Sequence, residues 1–402
     1  MSNPRSLIAM GAFSMAGNTP LVVQPMVVGA MVDLLGLTER QAGIVASVEL
    51  VGLTLGILAM IPVMSSAPRT ALALFAVAAI TGANLLTCFV SSFTWLLPTR
   101  FLSGIGAAAA FCLYLNMASS DEQPEHVFAI VNAISITYSG ILTLLAPYLL
   151  HAGGLPGLLL TLCLMTLLAL LTIPWVIRYG PQSYRLQSYR LQSYGPQSHG
   201  PQSSRTTSIS RFTSLPSRVM LLLAMMLLLY AGHGAIWAYQ ERIGVAAGLD
   251  EHAVGKWLGL SMLIWGVGGS LLARLMSMSI GRMWPQVISL GASCAAVLLL
   301  VYGSTPAAFA ISCGLIAFSW FYGLPYQMGL LAARDPKGRA ALAGVMMSTG
   351  GMALGPAIAA LLLVGRAHWP IGVFAGICYL LALAIAVPSA RSPAPLAAIP
   401  SA

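Results

Sequence analysis

Glu49 is the only charged side chain in the apolar run 41–66. It lies about nine residues in, roughly 14 Å at 1.5 Å per residue, near the middle of a hydrocarbon layer about 30 Å thick. A charge at that depth costs about 2.5–3.5 kcal/mol, so ionisable groups there are rare and default to function. A carboxyl in this position can take up and release a proton; the alternative is a structural carboxyl bonded to a neighbouring helix. Arg100, the only charge in the run 95–119, keeps its proton at any working pH. It therefore needs a carboxylate, a carbonyl or an anionic ligand, and is expected to face a cavity. Spacing leaves open whether Glu49 and Arg100 meet. If they do, protonating Glu49 frees Arg100 and favours one access state.

A second group lies in the run 217–240 and just beyond it. His233, Trp237, Gln240 and Glu241 fall on one helical face by i, i+4, i+7, i+8 spacing. An aromatic beside hydrogen-bonding groups suits a cavity wall, and His233 is a further candidate for proton coupling. The alternative is a buried imidazole bonded to a backbone carbonyl, with Glu241 and Arg242 at a membrane interface. Asn18, Pro20, Gln24 and Pro25 interrupt the first apolar run. Such breaks are tolerated where they line a cavity or where their freed carbonyls find other donors, which makes Asn18 and Gln24 substrate-binding candidates. Tyr322 and Tyr326, with Trp320 and Gln327, form a weaker set, since aromatics also serve as packing and interface anchors. Asn84, Asn116 and Asn132 read equally as interhelical hydrogen-bond glue.

The elements that hold these residues follow from composition. Hydrophobic residues make up 58% of the 402 and charged residues 7%, far below the roughly 25% of a soluble domain, so most of the surface must face lipid. Twelve segments reach bilayer-spanning length: 6–32, 41–66, 70–91, 95–119, 126–150, 156–178, 217–240, 253–275, 284–303, 306–332, 340–364 and 369–389. The chain reads as an all-α membrane protein of twelve transmembrane helices. A six-helix half at 1–178 and another at 217–402 flank a linker at 179–216. Within the linker, residues 180–204 are five pentapeptides, GPQSY, RLQSY, RLQSY, GPQSH and GPQSS. They cannot bury a core and read as a tether or, alternatively, a docking tail.

The two halves look like copies of one unit. Gly36-Leu-Thr-Glu-Arg-Gln-Ala-Gly43 recurs as Gly248-Leu-Asp-Glu-His-Ala-Val-Gly255, in each case between the first and second spans of its half. Thr38 and Asp250 are both good helix N-caps. Of nineteen Lys and Arg residues, all but Arg40, Arg100, Arg242, Lys256 and Arg366 fall at span ends and loops on one side. That bias puts both termini in the cytoplasm, so the net charge of +9 is a topology signal and calls for no nucleic acid. The N-terminal run lacks a convincing cleavage site and reads as a retained first span. Cys88, Cys112, Cys163, Cys294, Cys313 and Cys378 lie inside apolar spans without C-x-x-C spacing and read as small hydrophobes. The sequence shows no P-loop, H-E-x-x-H or nucleophile elbow, so no metal, no cofactor and no enzyme activity is expected.

Twelve spans in two sixes, cytoplasmic termini and a long central loop resemble the major facilitator superfamily, and the resemblance covers the chain apart from the pentapeptides. Arg100-Phe-Leu-Ser-Gly104-Ile-Gly106-Ala107-Ala108 fits the family pattern R-x-x-x-G-x-G-A-A at every defined position. This resemblance implies a proton-coupling role for Arg100 and a cavity lined by the seventh span. Gly351-Met-Ala-Leu-Gly355-Pro356 looks like the G-x-x-x-G-P signature that antiporters carry in span five, where this chain has Ala146-Pro147 without the glycine. The loop after span two, normally G-x-x-x-D-R-x-G-R, is Ser65-Ser66-Ala67-Pro68-Arg69, while its counterpart after span eight keeps Gly281-Arg282.

The expected function is secondary active transport of a small organic solute across an inner (plasma) membrane, by symport or antiport with protons, with a monomer as the working unit. Two alternatives remain from the sequence: a transport-inactive sensor or receptor on the same fold, and a membrane-embedded enzyme.

Overall fold

A computed structural model describes residues 4–121, 124–176, 215–276, 284–303, 305–334, 339–363 and 367–391. The pentapeptide stretch, Gly281-Arg282 and Arg366 lie outside the described residues. Helices make up nearly all the rest: α1 Pro4–Val22, α2 Gln24–Asp33, α3 Glu39–Ser66, α4 Arg69–Phe89, α5 Phe93–Ser119, α6 Pro124–Leu168, a 3-10 turn Ala169–Thr172, α7 Ile173–Val176, α8 Ser217–Ala246, α9 Glu251–Leu260, a π stretch Ser261–Gly266, α10 Val267–Met276, α11 Trp284–Tyr302, α12 Pro306–Arg334, α13 Arg339–Leu362 and α14 Trp369–Arg391. Helix is what such a composition dictates, because in lipid each backbone donor must find its acceptor inside its own segment.

Ten of these helical stretches are long and apolar enough to cross a membrane, eleven when the pair α1 and α2, bent by 45°, counts as one span. One of the ten, His126–Val176, runs 51 residues, about 76 Å at the α-helical rise and more than twice a hydrocarbon core. It is divided at Gly154, whose φ of 61° lies outside the helical range. The expected spans 126–150 and 156–178 leave a short gap; the structure fills it with helix and turns the chain on one glycine, the residue type to which positive φ costs least.

The octapeptide repeat has a structural cause at each end. Gly36 and Gly248 both adopt positive φ, 69° and 85°. The Thr38 hydroxyl accepts from the Gln41 N–H, and the Asp250 carboxylate accepts from the Ala253 N–H. At the closing glycines the two stretches touch. A Cβ on Gly43 would collide with the Tyr239 phenol of α8, and one on Gly255 with the Pro147 ring of α6.

Residues 4–176 pack α3, α4 and α1 around α5, with α6 against α1 and α4; residues 215–391 pack α8 on α13 and α14, and α11 on α12 and α14. Between the two stretches, α3 lies on α13, α2 on α8, and α6 on α9. Gly351 and Gly355, the family-like G-x-x-x-G-P pair, sit against Leu227, Tyr230 and Ala231 of α8, so that motif sets the α8–α13 crossing. The small residues of α5 work in the same way. Gly52 and Gly56 of α3 pack on Phe101, Ile105 and Ala108, and Gly104 lies against the Glu49 carbonyl.

The break between α1 and α2 follows from proline. Pro25 has no N–H to give the Leu21 carbonyl four residues back. The Trp237 indole N–H of α8 donates to that carbonyl instead, at 2.7 Å, and the Thr143 hydroxyl of α6 donates to the neighbouring Val22 carbonyl at 3.0 Å.

Glycine at 104 is a packing requirement, whereas a Cβ on Gly82 of α4 would meet nothing within 4 Å. Gly104→Leu is expected to destabilise the purified protein by about 1–3 kcal/mol through overpacking, read as a lowered Tm in detergent. Gly82→Ala is expected to leave the stability unchanged or raise it by up to about 1 kcal/mol.

Candidate functional site

Close approach of α3 and α5 brings Glu49 and Arg100 together. Arg100 Nη1 lies 3.3 Å from Glu49 Oε1. Its Nη2 donates to Asn84 Oδ1 at 2.7 Å and to Thr87 Oγ1 at 3.0 Å, both on α4. Glu49 is 6% exposed and Arg100 2%. The asymmetry of this arrangement matters. Arg100 has two neutral acceptors that hold it in place whatever the state of Glu49, whereas Glu49 depends on Arg100 for compensation of its charge. Asn84 and Thr87 were missed as site residues. Their signal was a polar pair three apart on one face of α4, where Asn84 read equally as glue.

A cavity with room for about one water molecule opens beside the pair. It is lined by Thr19, Pro20, Val23, Gln24, Val27 and Val28 of the broken first span, by Val45, Ala46 and Glu49 of α3, and by Arg100, Met31 and Leu162. Gln24 donates through Nε2 to the Ala46 carbonyl at 3.4 Å, while its Oε1 and the Nε of Arg100 are buried without partners. One acceptor and one charged donor thus remain unsatisfied among the groups that line this cavity. Asn18 is not among them; its amide donates to the Ser14 carbonyl at 2.8 Å.

The face expected on α8 is split between several neighbours. His233 is fully buried among Tyr230, Trp320 and Tyr379, with ring centroids 5.3 to 6.0 Å away. Its Nδ1 is 2.9 Å from the Leu229 carbonyl. Gln240 reaches Cys313 of α12 at 3.0 Å. Trp237 and Glu241 turn instead toward α1 and α2. At about 100° per residue the four positions spread over roughly 100° of the helix, and every residue from Leu229 to Arg242 is buried. Several neighbours therefore share what one cavity was expected to take. Tyr322 and Tyr326 lie elsewhere again, bonding Met276 Sδ at 3.8 Å and the Ala273 carbonyl at 2.8 Å of α10. The structure brings Glu49, Arg100 and Gln24 to the cavity and leaves His233, Trp237, Gln240, Glu241, Asn18, Tyr322 and Tyr326 outside its lining.

At the bundle end opposite Pro4 and Arg391, a second charged network joins the two stretches. Arg242 spans both carboxylate oxygens of Asp33 at the end of α2, with Nη1 to Oδ1 at 2.8 Å and Nη2 to Oδ2. It also bonds Glu241 at 2.5 and 2.7 Å. The Glu241 carboxylate sits over Gly29 of α2, where a Cβ would collide with it. Nearby, His368 Nε2 lies 2.9 Å from Glu39 Oε2, the Tyr239 phenol donates to the Glu39 carbonyl at 3.1 Å, and the Ser47 hydroxyl donates to the Ala353 carbonyl at 2.6 Å. Asp33, Glu39 and His368 escaped the sequence reading because charges at span ends are the norm at a membrane interface.

A family model described as Major Facilitator Superfamily matches residues 7–350. Among solved structures, the chain is similar to a point mutant of the nucleoside transporter NupG at 13% identity, with 96% of this chain and 100% of that one covered and a TM-score of 0.70. At that identity the likeness speaks for the fold alone. No curated protein matches.

The network at Arg242 closes the seam next to the cavity, and Val28, buried on the cavity wall, reports whether it stays closed. In Arg242→Ala, which leaves Asp33 and Glu241 without their cation, a cysteine at Val28→Cys is expected to react several-fold faster with an impermeant maleimide from the Arg242 side. An unchanged labelling rate, measured against the six native thiols alone, contradicts that role.

Proposed function

The chain belongs to the major facilitator superfamily, and on that premise we propose that this multi-pass membrane transporter moves a small organic solute by alternating access, coupled to protons. The observation that carries the reading is the buried Glu49–Arg100 pair on the wall of a cavity whose lining residues carry two unsatisfied polar atoms. Two bodies, residues 1–178 and 217–402, would rock about the seams α3–α13, α2–α8 and α6–α9. Both termini would be cytoplasmic and the membrane an inner or plasma membrane, in line with the charge bias of the loops.

In this scheme Glu49 takes up a proton and releases its hold on Arg100, which Asn84 and Thr87 keep in place. The freed guanidinium then offers Nη1 and Nε to an acceptor on the solute, and a carboxylate or carbonyl oxygen suits it. The solute must carry little charge, since among the described residues Glu49 and Arg100 are the only ionisable groups on the cavity wall. Gln24 Oε1 would accept from a donor on the same molecule. A cavity this small does not admit a solute, so binding requires the Arg242 side or the opposite side to part first. The nucleoside in the name of the structural neighbour stays with that protein.

Reconstitution in liposomes tests this directly. With a panel of monocarboxylates, sugars and hydrophobic cations, a pH gradient is expected to drive uptake of at least one compound, with proton flux that depends on it. Glu49→Gln is expected to abolish gradient-driven uptake by at least about tenfold, a loss of roughly 1.4 kcal/mol of coupling, while sparing solute exchange. Binding without proton flux would favour a receptor, and a mutant that still follows the gradient would remove Glu49 from the coupling role.

A further inference from the structure

The seam between α6 and α9 closes on glycines. A Cβ on Gly255 would collide with the Pro147 ring, and one on Gly259 with the Gly140 carbonyl and Leu144. Small residues one turn apart hold two helices at close range. The next positions toward the bundle end opposite Pro4 and Arg391 are His252 on α9 and Tyr148 and His151 on α6. That end also holds the turn at Gly154, whose Cβ position lies 3.8 Å from a Leu34 methyl just beyond α2.

The His252 ring stands edge-on to the Tyr148 ring, with centroids 4.9 Å apart at 78°, an aromatic contact that holds its orientation. Its centroid is 6.1 Å from that of His151. Both imidazoles are exposed. Among the described residues neither makes a hydrogen bond or an ion pair, so their ring nitrogens are open to a ligand from solvent. Imidazole is a ligand for zinc, nickel and copper, whereas magnesium and calcium take oxygen. With each nitrogen about 2.0–2.1 Å from one ion, two imidazoles place their centroids roughly 5–6 Å apart. A small tilt of two exposed side chains closes the difference.

We propose that His151 and His252 together bind one divalent transition-metal ion of the zinc type across the α6–α9 seam. Among the described residues no third His, Cys, Asp or Glu completes a set, so water fills the remaining positions. A bound ion ties the N-terminal stretch to the C-terminal one at this end of the bundle. Neither histidine lines the Glu49 cavity, so the site stands or falls apart from the transport reading.

Calorimetric titration of the purified, untagged full-length protein in detergent tests the site. The tightest zinc binding is expected to take one ion per chain, and magnesium is expected not to compete. Losing a ligand costs at least what losing an outer-shell partner does, so His151→Ala and His252→Ala are each expected to weaken zinc binding at least about tenfold. His126→Ala, at the far end of α6 and exposed, is expected to bind zinc as the wild type does. No zinc binding, wild-type affinity in either the His151 or the His252 variant, an equal loss in His126→Ala, or competition by magnesium overturns the proposal. The double variant distinguishes one shared ion from two separate ones: a shared ion predicts a loss no greater than that of the weaker single variant, and a further loss contradicts it. The Tm reads the bridge itself. Zinc is expected to raise the Tm of the wild type and of neither single variant. Zinc binding with an unchanged wild-type Tm puts the ion on one side of the seam and contradicts the bridge.

Discussion

A guanidinium that cannot lose its proton, buried in an apolar bundle, must be compensated wherever the chain goes. Arg100 is that group, and much of the N-terminal stretch follows from serving it. Glu49 on α3 supplies the opposite charge, Asn84 and Thr87 on α4 supply neutral acceptors, and all three can reach it only if α3, α4 and α5 pack closely. Gly104 and Gly52 permit the α3–α5 contact, and Gly106 permits the approach to Ala79 and Ile80 of α4. A buried ion pair is weak support for stability taken alone, because desolvation offsets much of the attraction. Its value here is that one partner can be neutralised and the other cannot. Proton uptake at Glu49 would therefore change the balance of forces at a single known place.

The broken first span links this place to the rest of the molecule. Proline at 25 leaves the Leu21 carbonyl open, and Trp237 from the C-terminal stretch satisfies it. Gln24, one residue before that proline, points an amide at the cavity wall. A few turns away, Arg242 joins Asp33 and Glu241 in a network with one more carboxylate than cation. The same two helices thus carry a cavity wall, a cross-seam hydrogen bond and a cross-seam ion pair. Parting the seam costs these contacts together.

Some of this was legible in the residues. A lone acid nine positions into an apolar run marks Glu49, and the repeated Gly-Leu-x-Glu pattern marks two equivalent turns whose glycines, caps and closing contacts the structure then explains. The pairing of Glu49 with Arg100 was not legible, because it depends on how closely two helices cross. The division of the expected α8 face among its neighbours was not legible for a related reason: a helical wheel gives angles, not neighbours, and a face about 100° wide meets several partners when the helix is buried all round. Asp33, Glu39 and His368 were hidden by position, since a charge at a span end has an ordinary explanation at the interface. The family-like motif around Gly351 was legible as a motif but not as a contact, for it packs α13 on α8.

The measurement closest to the centre of this account is a double-mutant cycle on Glu49 and Arg100, read as unfolding free energy in detergent. Arg100→Gln leaves a buried carboxylate without its cation, and Glu49→Gln leaves the guanidinium on Asn84 and Thr87 alone. The first is expected to cost more than the second, and the double variant less than their sum, with a coupling of at least about 1 kcal/mol. Additive costs, with no coupling beyond about 0.3 kcal/mol, would contradict the claim that the two act as one unit.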